Sequence, residues 1–307
     1  MNKKAFSLRL ADGNSWLIVA TPETTSWVEK FAGIMKLKFN GQDGHSKWPR
    51  MLFCQNHSAK NSLQKLMDFM DSRVKKTLPS RGWKATDFPS VRFWRHPEVH
   101  HIICEIGSEA NHELDIIRMW TSLYMICLRT QSFGGLPAHA ALAEVDGKGI
   151  LLAGPGGSGK STSCRRLPHH WRAWSDDQAL IVRDHGKGYM VHPIPTWSVH
   201  LWQRTEMKWN VEDHVPLAAI FFIEPAVSGQ LVSMGQGQAA VYLAESATQV
   251  YSPSLNRLDH REVRTVKKKL FENASDLARA IPAYKLRVSL KDPFWQEIEK
   301  VVSKTDK

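Results

Sequence analysis

The sequence predicts an α/β protein: a mixed sheet with helices packed on it, preceded by an α+β segment. Three observations carry this. From residue 134 onward, short apolar runs alternate with turns, at 139–145, 149–153, 179–182, 189–192 and 217–223. Short, densely apolar runs of this kind are strands buried in a sheet rather than half-exposed ones. A glycine-rich turn stands directly after the run at 149–153 and before a stretch that can start a helix. The first forty residues have a different texture, with alternating apolar and polar positions that read as a hairpin and then a helix.

The elements follow in order. Phe6-Ser-Leu-Arg-Leu alternates, Asp12-Gly13-Asn14 supplies a turn, and Trp16-Leu-Ile-Val resumes the strand. Residues 21–31 read as a short helix, with Thr21 at the N-cap and Pro22 at the first helical position, where its missing N–H is no loss. Residues 39–50 read as a loop. Residues 62–76 carry Leu63, Leu66, Met67, Met70 and Val74 at helical spacing. A proline- and aromatic-rich stretch spans 79–97, and 99–106 reads as a strand. Leu114, Ile117, Met119, Leu123, Ile126 and Cys127 outline a helix over 113–129. Late in the chain, 263–280 reads as a helix, 284–290 as a strand and 294–302 as a closing helix. A soft boundary near residue 112 divides an N-terminal segment, 1–112, from 113–307.

Composition narrows the class. Of 307 residues, 42% are hydrophobic and 23% charged, so a sizeable core can form. The longest apolar run, 217–223, is far short of the about 20 residues that span a bilayer. The start of the chain has no apolar signal-peptide core. Cys54, Cys104, Cys127 and Cys164 are far apart, which excludes a zinc ribbon and argues against a disulfide framework. The expected compartment is a reducing cytoplasm, with no membrane partner. Net charge is +11, from 41 Lys/Arg and 30 Asp/Glu. Residues 1–112 hold 17 basic and 10 acidic residues, net +7, which makes that segment a candidate module for an acidic acceptor. The bases are scattered rather than arranged in an aromatic-interleaved stripe, so nucleic acid is the least favoured partner.

The chemistry concentrates at Gly154-Pro155-Gly156-Gly157-Ser158-Gly159-Lys160-Ser161-Thr162, which fits G-x-x-x-x-G-K-[ST]. Glycines let successive backbone N–H groups turn inward around phosphate oxygens, and a helix N-terminus adds partial positive charge. Lys160 is placed to reach β- and γ-phosphates, and Ser161 to ligate Mg²⁺. The alternative is a plain glycine-rich turn, which the strand before and the helix after argue against. Trp174-Ser175-Asp176-Asp177 follows only 16 residues after Lys160. A carboxylate there can hold Mg²⁺ or accept a proton from an attacking hydroxyl. Ser-Asp-Asp is also ordinary turn chemistry.

Weaker signals surround these. His139 at a strand start is either a hydrogen-bonded structural residue or part of the site. Arg165-Arg166 follows the loop, and one of the two could face phosphate. Arg204 could steady charge on a transferring group. His192-Pro-Ile-Pro-Thr-Trp-Ser198 is stiffened by two prolines and reads as a wall of the site or a rigid connector. His100-His101, His169-His170 and Lys267-Lys-Lys269 read as solvated surface.

The stretch 139–182, HAALAEVDGKGILLAGPGGSGKSTSCRRLPHHWRAWSDDQALIV, resembles the catalytic domain of bacterial HPr kinase/phosphorylase. The resemblance is strong over about 45 residues and loose as far as 217–223. The tail, Ile281-Pro-Ala-Tyr-Lys-Leu-Arg-Val-Ser-Leu with Phe294-Trp295, looks closer to HPr-kinase-related proteins encoded beside peptide-modifying enzymes, such as SynChlorMet cassette proteins and lasso-peptide kinases. The resemblance implies a fold of the HPr-kinase and phosphoenolpyruvate-carboxykinase type. It implies ATP and Mg²⁺ at 154–162, Asp176 and Asp177 as the metal and base pair, and His139 beside them. It also implies homo-oligomers, and other peptide-modifying enzymes as partners. Residues 1–112 do not look like the N-terminal domain of true HPr kinases, so HPr itself is not carried over as acceptor. Two functions stay open. One is a kinase acting on a Ser or Thr hydroxyl of a peptide or protein. The other is a nucleotide-binding accessory protein of a peptide-maturation system that transfers nothing.

Overall fold

The computed structural model describes residues 4–40, 47–55, 78–109, 111–203 and 205–303. The expected helix at 62–76, and Arg204, lie outside them. The described chain is mixed α/β, with two mixed sheets and helices. It forms two compact units, Met1–Met125 with Trp197–Glu212, and Ile126–Thr196 with Asp213–Lys307. The boundary expected near residue 112 thus differs from the division in the structure, which falls within a helix at 125/126 and returns 197–212 to the first unit.

The first unit is built on strands β1 (Ala5–Arg9), β2 (Ser15–Ala20), β3 (Lys38–Phe39), β4 (Arg50–Gln55), β5 (Lys84–Phe88), β6 (Val91–His96) and β7 (Val99–Ile106). Their order is β3-β1-β2-β4-β7-β6-β5. The expected hairpin is β1–β2, with Phe6 opposite Ile18 and Leu8 opposite Trp16. β2, β4 and β7 run parallel at the centre, and five of the six β4 residues are buried. A parallel strand covered on both faces is apolar throughout rather than alternating, so β4 shows no period-2 pattern. The aromatic stretch at 79–97 forms the β5–β6 hairpin, whose turn residue Ser90 takes φ +61°.

After β2 the chain makes a 3₁₀ turn over Pro22–Thr24 and then helix α1 (Thr25–Ile34). The expected single helix is thus split. Thr24 Oγ1 accepts from the Thr21 N–H at 3.1 Å, tying the turn to its own start. Trp27 and Phe31 of α1 pack on Phe53 with ring centroids 4.9 and 5.9 Å away. The returning segment adds Trp197, fully buried and stacked on Phe31 at 6.2 Å, and Trp209, whose N–H donates to the Ile34 carbonyl at 2.8 Å.

Helix α2 (His112–Ser132) leads into the second unit, matching the expected helix at 113–129. That unit contains β8 (Leu136–Ala138), β9 (Ala140–Val145), β10 (Lys148–Ala153), α3 (Lys160–Arg165), β11 (Arg172–Ser175), β12 (Ala179–Asp184) and β13 (Gly188–Pro193). Helix α4 (Trp197–Gln203) belongs to the returning segment. The second unit resumes with β14 (Val215–Pro225), β15 (Gln230–Ser233), α5 (Gln236–Leu255), α6 (His260–Ala280), β16 (Ala283–Val288) and α7 (Trp295–Val302). The sheet runs β11-β9-β10-β14-β13-β12-β8, with β16 also beside β14 and β15 beside β16. β9 and β10 form a tight hairpin around Asp146 and Gly147, both with positive φ, as a two-residue turn of right-twisted strands requires. β10 then runs parallel to β14.

One apolar cluster joins Ala141, Ile150, Leu152, Phe221 and Leu286 of the sheet to Cys164 of α3 and Ile298 of α7. Helix α6 buries Leu270, Ala274 and Leu277 at helical spacing, and its Asn273 amide donates to the Gln131 and Gly135 carbonyls at 2.7 and 2.8 Å. That bond pair ties the C-terminal end of α2 and the turn after it to α6. The four cysteines are free and buried. Burial pushes the Cys127 thiol up to about 12, so it is not a nucleophile near neutrality.

Candidate functional site

The loop at 154–162 joins β10 to α3, as its sequence demands. Gly159 is the N-cap of α3 with φ +95°, a conformation that side chains rarely adopt. Gly154 is required by space as well. A Cβ there would lie 2.6 Å from Ser158 Oγ and 3.1 Å from the Ile223 carbonyl oxygen. Lys160 is buried, and its ammonium donates to the Gly154 and Pro155 carbonyls at 2.8 and 3.1 Å. The lysine therefore closes the loop on itself, with its charge over the first half. Burial holds its pKa below the ordinary lysine value, and the charge of Asp177 works against that shift.

Asp176 and Asp177 follow the end of β11, in the turn before β12, and both are half-buried. Ser175 Oγ donates to the Gln178 carbonyl at 2.7 Å and closes that turn. The two acids have different neighbours. Asp176 Oδ1 accepts from Thr196 Oγ1 at 2.8 Å. Asp177 Oδ1 lies 3.1 Å from His139 Nε2, and its charge reaches Lys160. His139 sits where the chain passes from β8 to β9. Its Nδ1 is hydrogen-bonded to Gln249 of α5, and its carbonyl accepts from Ser246 Oγ at 3.3 Å. Asp177, His139 and Gln249 thus form one connected polar group, and the Asp177 charge acts on Lys160 from outside its hydrogen bonds. Beneath it, burial and the Asp176 charge push the Cys164 thiol up to about 12.

A phosphate-bearing ligand fits this loop on one further observation. Ser158 Oγ is buried and has no hydrogen-bond partner among the described residues. A hydroxyl so placed in a glycine loop can bond an anionic oxygen of a ligand.

A cavity of about 510 Å³ opens beside the loop. It is lined by Gly154–Ser158, by Phe222, Glu224 and Pro225 at the end of β14, and by Tyr242, Glu245, Ser246 and Gln249 of α5. Lys285 Nζ, 2.8 Å from Glu224, holds that carboxyl below the usual range.

Other candidates lie elsewhere. Arg166 donates to the Ser289 and Asp292 carbonyls at 2.8 and 2.7 Å and covers the Phe294 ring, so it clamps the C-terminal turn instead of facing phosphate. His170 pairs with Glu299 at 2.9 Å, and His101 Nδ1 accepts from the Arg50 N–H. The stiff segment at 192–198 divides. Thr196 serves Asp176, whereas Trp197 starts a helix and is core of the first unit. Tyr242, Glu245 and Gln249 were not legible site residues, because α5 itself was not expected.

Strand, glycine loop and helix define an α/β protein with a Lys-Ser loop motif between β10 and α3. The family model for SynChlorMet cassette protein ScmC matches residues 102–303, about two thirds of the chain, and the chain belongs to that family. Membership fits the expected association with peptide-modification gene clusters. Comparison with curated proteins found no match. Among the described residues, no helix is long and apolar enough to cross a membrane.

Proposed function

We propose that the second unit binds Mg²⁺-ATP and transfers the γ-phosphoryl group to a Ser or Thr hydroxyl of a peptide or protein, as a kinase of the HPr-kinase type. The observation that carries this reading is the pairing of Asp177 with His139. A carboxylate with an imidazole on it at 3.1 Å accompanies a glycine loop whose lysine is buried and feels that carboxylate's charge. A binding loop needs only the lysine. Transfer also needs an acceptor for the hydroxyl proton.

In this reading the N–H groups of 156–162 and the Lys160 ammonium hold the phosphates. The acceptor oxygen forms the new P–O bond as the bond from γ-phosphorus to the β,γ-bridging oxygen breaks, and ADP leaves with that electron pair. Asp177 takes the hydroxyl proton. His139 orients Asp177, and Gln249 orients His139. Ser161 and Asp176, the latter fixed by Thr196, would hold Mg²⁺, which neutralises phosphate charge when bound. Among the described residues, no three His, Cys, Asp or Glu side chains gather into a metal site. That suits a cation held by one or two carboxylates together with the nucleotide's own oxygens.

The test is incubation with γ-labelled ATP, Mg²⁺ and a library of Ser- and Thr-containing peptides, followed by mass spectrometry. Labelled peptide that depends on Lys160 is the expected result. ATP bound tightly with no peptide labelled would instead favour the nucleotide-binding accessory protein.

A further inference from the structure

We infer that the acceptor is an extended peptide segment seated in the groove between α5 and α6, with its hydroxyl entering the cavity beside the glycine loop; this rests on the phosphotransfer reading above. The cavity is lined by the first half of the loop, 154–158, and not by Ser161 or Thr162. The Lys160 ammonium lies over that same half. A lysine of this motif reaches the β- and γ-phosphates, so the transferring end of ATP belongs beside the cavity, and the acceptor enters there.

The cavity does not end at α5. A second hollow of about 490 Å³ adjoins it, lined by Val241, Ala244, Glu245, Thr248 and Gln249 of α5 with Lys267 and Phe271 of α6. Glu245 and Gln249 line both. The two hollows therefore meet at Glu245 and Gln249, the latter bonded to His139.

The chemistry of the two hollows selects one kind of occupant. At the cavity, Glu245 presents an exposed carboxylate that can accept from peptide N–H groups, whereas Glu224 is already paired with Lys285 and Arg287. Within the groove, Val241 of α5 and Phe271 of α6 are 43% and 50% exposed and line the same hollow. Such a pair seats one apolar side chain. Lys267 lines the same hollow, with Arg264 one turn earlier on α6. Neither base makes an ion pair among the described residues, whereas Lys268 and Lys269 both reach Glu272. The groove thus combines an apolar pair with two bases. It matches a peptide that carries an apolar residue and an acidic one close to its Ser or Thr.

The probe is a degenerate displayed peptide library with one central Ser, selected on the full chain without nucleotide. The unsubstituted protein should enrich Leu, Ile or Phe, and Asp or Glu, at fixed positions near the Ser. Phe271→Asp should lose the apolar enrichment. Lys267→Glu should replace the acids by Lys or Arg, a reversal that a merely structural role would not produce. Each substitution should weaken the best wild-type peptide at least about tenfold, or ~1.4 kcal/mol. Selections that ignore both substitutions overturn the proposal. So does sedimentation showing that the wild type dimerises and Phe271→Asp does not, since a second copy would then fill the groove. Selected peptides that bind but take no label from γ-labelled ATP leave the groove standing and remove the kinase reading. Labelled peptides whose selection ignores both substitutions do the reverse.

Discussion

At the residue scale, burial and charge pull the Lys160 proton in opposite directions, and burial prevails. A folded pKa below 10.5 means the free protein loses this proton at a lower pH than an ordinary lysine would. Phosphate binding needs the ammonium, so ATP affinity should fall on the alkaline side from below 10.5, with Lys160→Arg holding affinity to higher pH. Titration calorimetry across pH reads this directly, and identical profiles for the two proteins would count against the assignment. The acid pair gives a second expectation. Asp177→Asn should lower kcat by a factor on the order of 10² or more, the usual range for loss of a general base. Asp176→Asn should mainly raise the Mg²⁺ requirement, because its neighbour is Thr196 and not the lysine. Steady-state kinetics over a Mg²⁺ series separates the two, and matching defects would refute the division of roles. The loop and both acids could be read from residue types and spacing, and His139 beside them only from the family resemblance. Thr196 and Gln249 could not. A threonine or glutamine bonded to a site residue across 20 or 110 positions leaves no local pattern.

At the element scale, the glycine loop is constrained by space as much as by φ. Gly154→Ala would drive a methyl group against Ser158 Oγ and the Ile223 carbonyl, and the φ of +152° adds strain. The substitution should cost about 1–3 kcal/mol and remove most ATP affinity, as thermal melts with and without nucleotide would show. A full ATP-induced shift in the variant would mean that the loop does not hold phosphate. Among elements, strands with dense apolar runs were legible, as were helices with large apolar side chains at helical spacing. Helix α5 was not. Its buried positions are Ala239, Ala240, Leu243, Ser246, Ala247, Tyr251, Ser254 and Leu255, which do keep helical spacing. Most of these side chains are small, and Pro253 lies inside the last turn, so hydrophobic contrast is low and propensity is poor. Packing, rather than local preference, makes this helix. The small-residue stripe from 239 to 247 was the available signal.

At the scale of the whole molecule, the chain is a pair of units joined by an excursion. Residues 197–212 leave the second unit and return to the first, carrying Trp197 and Trp209 into its core. Charge arithmetic finds an uneven chain, but no composition signal marks such a return, which depends on surfaces brought together only by folding. The basic excess of 1–112, +7, has a kinetic consequence if the acceptor is acidic. Screening weakens steering between opposite charges, so the KM for the acceptor should rise with ionic strength more steeply than the KM for ATP. A flat acceptor KM between low and high salt would remove the N-terminal segment from acceptor capture. The same acidic residues are the ones that Lys267 in the groove selects, so salt should also blunt that selection.

The central claim is that the loop, Lys160 and Asp177 transfer a phosphoryl group rather than merely hold a nucleotide. A single turnover of γ-labelled ATP on the wild type and on Asp177→Asn, both saturated with Mg²⁺ and nucleotide and given the same peptide pool, tests it most directly. The expected result is label on Ser or Thr of the peptides with the wild type, and a rate lower by a factor on the order of 10² or more with the variant at unchanged ATP occupancy. Equal transfer by both proteins, or fully bound ATP that never labels a peptide in either, would contradict it.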